Sequence, residues 1–399
     1  MIQKGADLRA FVIPLRYGLM NVLIIAFTVA LIFGGFWIWL AYAVSGIAAA
    51  ALDESFGDDK QHLGGGAAWF YEINLFATLP LLTLLTVVYL HYLTKADPIG
   101  LIHGLSLLGI DFAGAPSLSR YDPRIGATMG LGYFYAMAGI TVAHELTHRI
   151  NSPLALMVGR ALLGFSWSTT FATAHVYGHH RNVAIYDDPG SARRGEYSLA
   201  FAIRCNIWQQ IEAFRLEAAR LRRRDIHWLS WRNRALTGQL YPIAITVGVW
   251  MLAGRRGVLG FFIAALIAMI SQKLVDYVQH YGLVRAEGTP IEARHAWSCH
   301  RVVTSSMQYN LCRHADHHVS AAKPFWDLDA RSDGPIVPCG YLTATVCSLL
   351  PPVWHRMIDP LLADWDRRMA SDEERRLIRE RGWELPLPNA KDKPAEQRV

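Results

Sequence analysis

Apolar residues run almost unbroken from Phe11 to Leu52, which is far too long for one membrane span of ~20 residues. Gly34-Gly35 offers a break, so the pattern predicts two helices, at 17–33 and 35–51. A third apolar run covers 73–92, and a fourth covers 126–144 and ends in "HELTH". A fifth and a sixth lie at 236–253 and 258–276, joined by "GRRG". The Gly-rich run 99–115 is shorter and reads as a re-entrant or interfacial piece. The fold class expected is an all-α integral membrane protein of about six transmembrane helices. Residues 1–276 carry the spans and a cytoplasmic loop at 149–235. A cytoplasmic cap rich in His, aromatic residues and Pro follows at 277–385, and 386–399 is a disordered tail. No internal repeat stands out.

Charge orients this layout. The chain has 399 residues, is 52% hydrophobic and carries a net charge of +6, and the basic excess is uneven. Between 215 and 234, Arg215, Arg220, Arg222, Arg223, Arg224, Arg232 and Arg234 face only Glu217 and Asp225. The positive-inside rule puts this segment in the cytoplasm of a cell with its protein in the inner membrane. With six spans, both termini join it there. Alternatively, the same arginines form a docking surface for an acidic partner. Five scattered cysteines with no C-x-x-C pair exclude a zinc ribbon and suit a reducing compartment. The N-terminus lacks a short apolar core with a cleavage site and reads as mature sequence. Near the other end, Ser371 and Glu374 form a capping-box signature for a surface helix.

"HELTH" at 144–148 matches the H-E-x-x-H pattern of zinc proteases. The other histidines argue against that reading. "HVYGHH" supplies His175, His179 and His180, "QHYGL" supplies His280, and "RHADHH" supplies His314, His317 and His318. On helices, spacings of three or four put imidazoles on a common face, so each cluster can aim nitrogens at one point. His144 and His148 end the fourth span and His280 lies just past the sixth. The rest lie just outside the membrane, so nine histidines can converge at its cytoplasmic surface. A protease zinc needs three protein ligands and an open position. Nine suit two metals with four or five ligands each, and imidazole suits zinc, copper, iron and nickel. Polar groups at membrane depth are costly and mark function.

These residues resemble the membrane histidine-box non-haem diiron family of alkane hydroxylases, xylene monooxygenase hydroxylase components, fatty-acid desaturases and carotenoid ketolases. The boxes are "HELTH", "HVYGHH" and "HADHH", and the resemblance runs from about residue 10 to about 385. "GHHRNVAIYDDPGSARRGE" at 178–196 and "RHADHH" are similar to the alkane hydroxylase branch, whose ninth histidine maps to His280 in "HYGL". Ala174 and Gln279 stand where alkane hydroxylases usually have Glu. With "QHYGLVR" and "DWDRRMASDEERRL" they look more like the xylene branch.

The resemblance implies O₂-dependent hydroxylation of a terminal or benzylic methyl of a hydrophobic hydrocarbon, an n-alkane first and a methyl aromatic as the alternative. The cofactor would be two iron ions held by the nine histidines, because no amino-acid side chain oxidises such a bond. Glu145, Asp188, Asp276 and Asp316 are candidates to accept a ligand's second N–H, and His295 and His300 are candidates to orient ligands. NAD(P)H would supply electrons through separate carriers, since the chain has neither a rubredoxin C-x-x-C nor a dinucleotide-binding G-x-G-x-x-G. The partners implied are a rubredoxin or ferredoxin and its reductase, docking at Arg220, Arg222, Arg223 and Arg224. Membrane lipid and the substrate it dissolves complete the set, with no nucleic acid. A desaturase, a ketolase, an intramembrane zinc protease and a metal transporter are the more remote alternatives.

Overall fold

In lipid the backbone must satisfy its own hydrogen bonds, and this chain does so with helices. The computed structural model describes residues 13–110 and 122–385, and among them there is no strand, only the isolated bridges Asp58–Arg301 and Ser298–Ile336. The tail at 386–399 and part of the run at 99–115 lie outside the described residues. Four apolar helices long enough to cross a membrane occupy the first part of the chain: α1 (Ile13–Phe33), α2 (Phe36–Phe56), α3 (Gly65–Thr94) and, after the short α4 (Leu101–Leu107), α5 (Pro123–His148). The expected break between the first two is present, with Gly34 and Gly35 both at positive φ.

The segment between spans at 149–235, expected as a cytoplasmic loop, is largely helical. It contains α6 (Pro153–Gly164), α7 (residues 171–182) and α8 (Ser198–Arg222). The fifth and sixth runs form one helical stretch, α9 (Arg234–His280), of 47 residues. Straight, it would be about 70 Å long, more than twice the ~30 Å hydrocarbon layer. Gly254, at φ 58° and ψ −155°, breaks it into two limbs. A Cβ on Gly257 would come within 2.4 Å of Ala253 and 3.6 Å of Val249, so the limbs pack against each other at the turn.

Small and polar residues let the long helices approach. Gly130 of α5 sits under the Phe27 ring of α1, and Gly132 lies against Ile267 and the Ala264 carbonyl of α9. Asn21 donates to the Asn74 carbonyl at 2.8 Å and accepts from Thr78, which stitches α1 to α3.

The cap contains α10 (Val302–Met307), α11 (His314–Val319), α12 (Tyr341–Ser348), α13 (Pro351–Arg368) and α14 (Asp372–Glu380). Ion pairs and caps tie it to the bundle. Asp53 at the end of α2 accepts from the Val303 and Thr304 amides, which cap α10. Arg313, fully buried, donates to the carbonyls of Leu328 and Gln61. Arg194 donates to the Gly282 carbonyl and clasps Asp366 of α13. The capping box at Ser371 and Glu374 is formed. The helix it starts lies at the surface with one face docked, where Glu374 also takes up His295 at 2.9 Å. None of the five cysteines forms a disulfide.

Candidate metal centre

α5 carries His144 and His148 one turn apart at its C-terminal end, and α9 ends at His280. Residues 135–140, just before the first pair, and 175–179 are wound as π turns. Such turns recur at functional sites because they re-aim side chains. The second one brings His175 and His180, five residues apart, to the same group. On a regular α-helix they would point well apart.

The nine histidines gather into two groups. His144, His148, His175, His180 and His317 form one, and His179, His280, His314 and His318 form the other. Within each group one nitrogen per ring lies within 4.8 Å of all the others. The grouping does not follow the sequence clusters. Each adjacent pair, His179-His180 and His317-His318, sends one ring to each group. This corrects the expectation that each cluster serves one point. Neighbouring residues on a helix diverge by about 100°, so an HH pair lying between two centres serves both.

The nitrogens are placed as ligands would be. His180 Nε2 is 3.0 Å from the Nε2 atoms of both His175 and His317. His280 Nε2 is 3.1 Å from that of His179 and 3.0 Å from that of His314, and His314 Nε2 is 3.1 Å from that of His318. A ring nitrogen has one hydrogen or one lone pair in its plane and cannot serve two such partners well. Nitrogens about 2.1 Å from a common ion lie roughly 3.0–3.4 Å apart, and these separations match. The Nε2 atoms of His144 and His148 are buried with no hydrogen-bond partner. Burial first, and repulsion among the imidazoles second, hold His175, His180, His317 and His318 far below the usual histidine range, and burial does the same for His314. Neutral rings are the form that binds a metal. Burial acts downward on His179 too, but the Asp188 carboxylate outweighs it and the net direction is up.

Asp188 Oδ2 lies 2.8 Å from His179 Nδ1, which leaves Nε2 facing its group. The carboxylate is itself held by Ser191 Oγ at 2.7 Å and the Gly190 amide at 3.1 Å. A Cβ on Gly190 would come 2.5 Å from His179 Nδ1, so glycine is required for this approach. The "DDPGS" stretch is thus a cradle for one ring. Of the other five candidates for supporting roles, four have side chains engaged with groups other than the nine histidines, and His300 has none. Glu145 pairs with Arg149 at 3.0 Å, Asp276 with Lys273 at 2.9 Å, and Asp316 with Lys323 and Arg331 at 3.0 and 3.2 Å. His295 binds Glu374, and both ring nitrogens of His300 lack a partner, with burial pushing that ring down to about 4. The Arg run divides as well. Arg220 and Arg234 converge on buried Glu217, whereas Arg222, Arg223 and Arg224 are exposed.

A narrow cavity of about 30 Å³ touches both groups, at His144 and His175 of one and His314 of the other. Its apolar wall is Ala136, Met137, Ile140, Phe171, Val275 and Leu311, and its polar wall includes Gln272, Gln279 and Gln308. Sequence reasoning missed Phe171, whose ring stacks on His175 at 4.4 Å, and gave Gln272 and Gln308 no role. A glutamine inside an apolar run was the available signal for Gln272. Ser45 and Trp37 of α2 do not reach this cavity. They line a separate apolar groove with residues of α1.

Comparison with known proteins agrees with this geometry. The family model described as fatty acid desaturase matches residues 123–335, more than half of the chain and all nine histidines. The chain belongs to the fatty acid desaturase family. It is 34% identical over 242 residues to alkane 1-monooxygenase 1 of Pseudomonas aeruginosa, covering 59% of this chain and 63% of that protein. To the alkane 1-monooxygenase of Acinetobacter baylyi it is 30% identical over 242 residues, covering 59% and 58%. To the xylene/toluene monooxygenase hydroxylase component XylM of Pseudomonas putida it is 26% identical over 379 residues, covering 93% and 96%. The chain thus spans less than two thirds of the two alkane monooxygenases and nearly all of XylM.

The two aspartates give a paired test. Asp188→Asn should weaken divalent-metal binding ~10–100-fold, because it orients a ligand ring, while Asp316→Asn should lower the unfolding midpoint and leave metal affinity near wild type. Equal metal affinity in Asp188→Asn and wild type would remove Asp188 from the centre.

Proposed function

We propose that this protein is a membrane hydroxylase that inserts one oxygen atom of O₂ into a methyl C–H bond of a hydrophobic hydrocarbon. The observation that carries this reading is the gathering of nine imidazoles, seven of them buried and two half-buried, into a group of five and a group of four beside a cavity among apolar helices. An all-nitrogen ligand set of this size suits two iron ions, which when bound supply the oxidising power that side chains lack. His144, His148, His175, His180 and His317 would hold one iron, and His179, His280, His314 and His318 the other. Asp188 fixes the tautomer of His179. Met137 and Leu311, long and flexible, are the wall residues able to turn aside for a substrate larger than the ~30 Å³ space.

The cluster also weighs against the zinc protease. Glu145, which would be its base, is engaged by Arg149, and His144 and His148 share their group with three more imidazoles. Terminal hydroxylation of an n-alkane is the first reading, from the identity with alkane 1-monooxygenases. Benzylic hydroxylation is the second, favoured by the near full-length match to XylM and by Gln279 at the cavity wall. We place the histidines at the cytoplasmic face of the inner membrane, on the side of Arg222, Arg223 and Arg224, with the two limbs of α9 as separate passes. Electrons then come from NAD(P)H through a separate rubredoxin or ferredoxin, and the three exposed arginines are the docking surface.

Whole cells expressing the protein with its electron carriers and fed octane, dodecane and p-xylene should excrete terminal or benzylic alcohols, identified by mass spectrometry. Alkenes in place of alcohols would move the protein to desaturation. Peptide cleavage that depends on Glu145 would overturn the reading altogether. Changing Arg222, Arg223 and Arg224 to Gln should slow reduction by the carrier at low ionic strength, with the deficit shrinking as salt screens exposed charge. A deficit independent of salt would exclude docking there.

A further inference from the structure

The cavity beside the histidines carries polar groups that a hydrocarbon alone leaves unpaired. Three glutamines line it: Gln272 and Gln279 from α9 and Gln308 just after α10. All three are more than nine-tenths buried. Neither the oxygen nor the nitrogen of the Gln272 amide has a hydrogen-bond partner, and the same holds for Gln308 Oε1, while the Gln279 side chain lies within reach of the Tyr341 hydroxyl. The nitrogen of Gln308 reaches only the thioether of Met137, at 3.7 Å. Buried amides are satisfied as a rule, and leaving them unpaired is costly. Methyl groups and methylenes cannot satisfy them. The surrounding wall of Ala136, Ile140, Val275 and Leu311 still calls for an apolar body. The cavity as a whole, about 30 Å³, has room for a water-sized polar group beside the amides.

We infer that Gln272, Gln279 and Gln308 form a polar seat for an oxygen atom carried by the substrate. The preferred substrate class is therefore a lipophilic molecule with a hydroxyl or carbonyl group at the end that reaches the histidines. This rests on the hydroxylase reading for the reaction, but the seat itself is a property of binding. The amides offer both donors and acceptors, so either oxygen group finds a partner. A site that hydrogen-bonds a substrate oxygen discriminates against the analogue lacking it, because its own polar groups are then left unpaired.

The test compares p-xylene with 4-methylbenzyl alcohol, which has nearly the same shape. Binding to the full-length, metal-loaded protein in lipid nanodiscs is measured by titration and corrected for uptake by empty nanodiscs. Wild type should bind the alcohol about fivefold to tenfold more tightly than p-xylene. Gln272→Leu and Gln308→Leu, which keep the bulk and remove the amide, should each shrink that preference toward unity. Equal affinity for the two ligands in wild type would overturn the seat without needing either variant. So would a preference that survives both substitutions, since the amides would then be holding water alone. Failure to oxidise either compound, with the binding preference intact, would instead defeat the hydroxylase reading and leave the seat standing.

Discussion

The architecture depends on two adjacent histidine pairs that each have to serve two centres. His179-His180 and His317-His318 lie between the five-histidine and four-histidine groups and contribute one ring to each. Rings of the two pairs meet directly, with His180 and His318 centroids 4.4 Å apart and His179 and His318 4.9 Å apart. Both helices, α7 and α11, must therefore enter at a depth and rotation that suit two points at once. They also carry His175 and His314, while α5 and α9 supply His144, His148 and His280. A shift of either α7 or α11 would disturb both groups together.

Much of the polar framework outside the groups makes sense as resistance to such a shift. The "DDPGS" cradle fixes His179. Arg285 donates to the carbonyls of Val183 and Arg181, which closes the loop after the second box. Gly282, at φ 73°, turns the chain directly after His280, and a Cβ there would strike Leu362 at 2.7 Å. Arg194 then grips the Gly282 carbonyl and Asp366 together. Phe171, stacked on His175, also has the Lys273 ammonium 5.4 Å from its ring centroid, so the ion pair of Lys273 with Asp276 bears on a ring.

The histidine boxes were legible in the sequence because side-chain identity and spacing carry them directly. The break at Gly34-Gly35 and the capping box at Ser371 were legible because local backbone chemistry sets both. The division of the boxes was not. Spacing rules for an α-helix group residues three and four apart, and the π turn at 175–179 that brings His175 to His180 leaves no mark in composition. Contacts between distant segments were equally hidden, as with Arg194 and Asp366, 172 residues apart. Asp316 and Glu145 looked like partners for histidines from their position alone. Nearby cations captured them instead, and those neighbours depend on the tertiary fold. The Arg run read as one patch, yet Glu217 withdraws Arg220 and Arg234 from it.

The central claim is that two inequivalent metal centres, with five and four histidines, share the two HH pairs. Mössbauer spectroscopy of the purified protein loaded with ⁵⁷Fe, alongside metal analysis, tests it most directly. The account predicts about two irons per chain, as a two-metal site requires, and two quadrupole doublets of equal area. His317→Ala should alter one doublet and His318→Ala the other. A single zinc per chain, or one iron signal that both substitutions alter alike, would contradict the account.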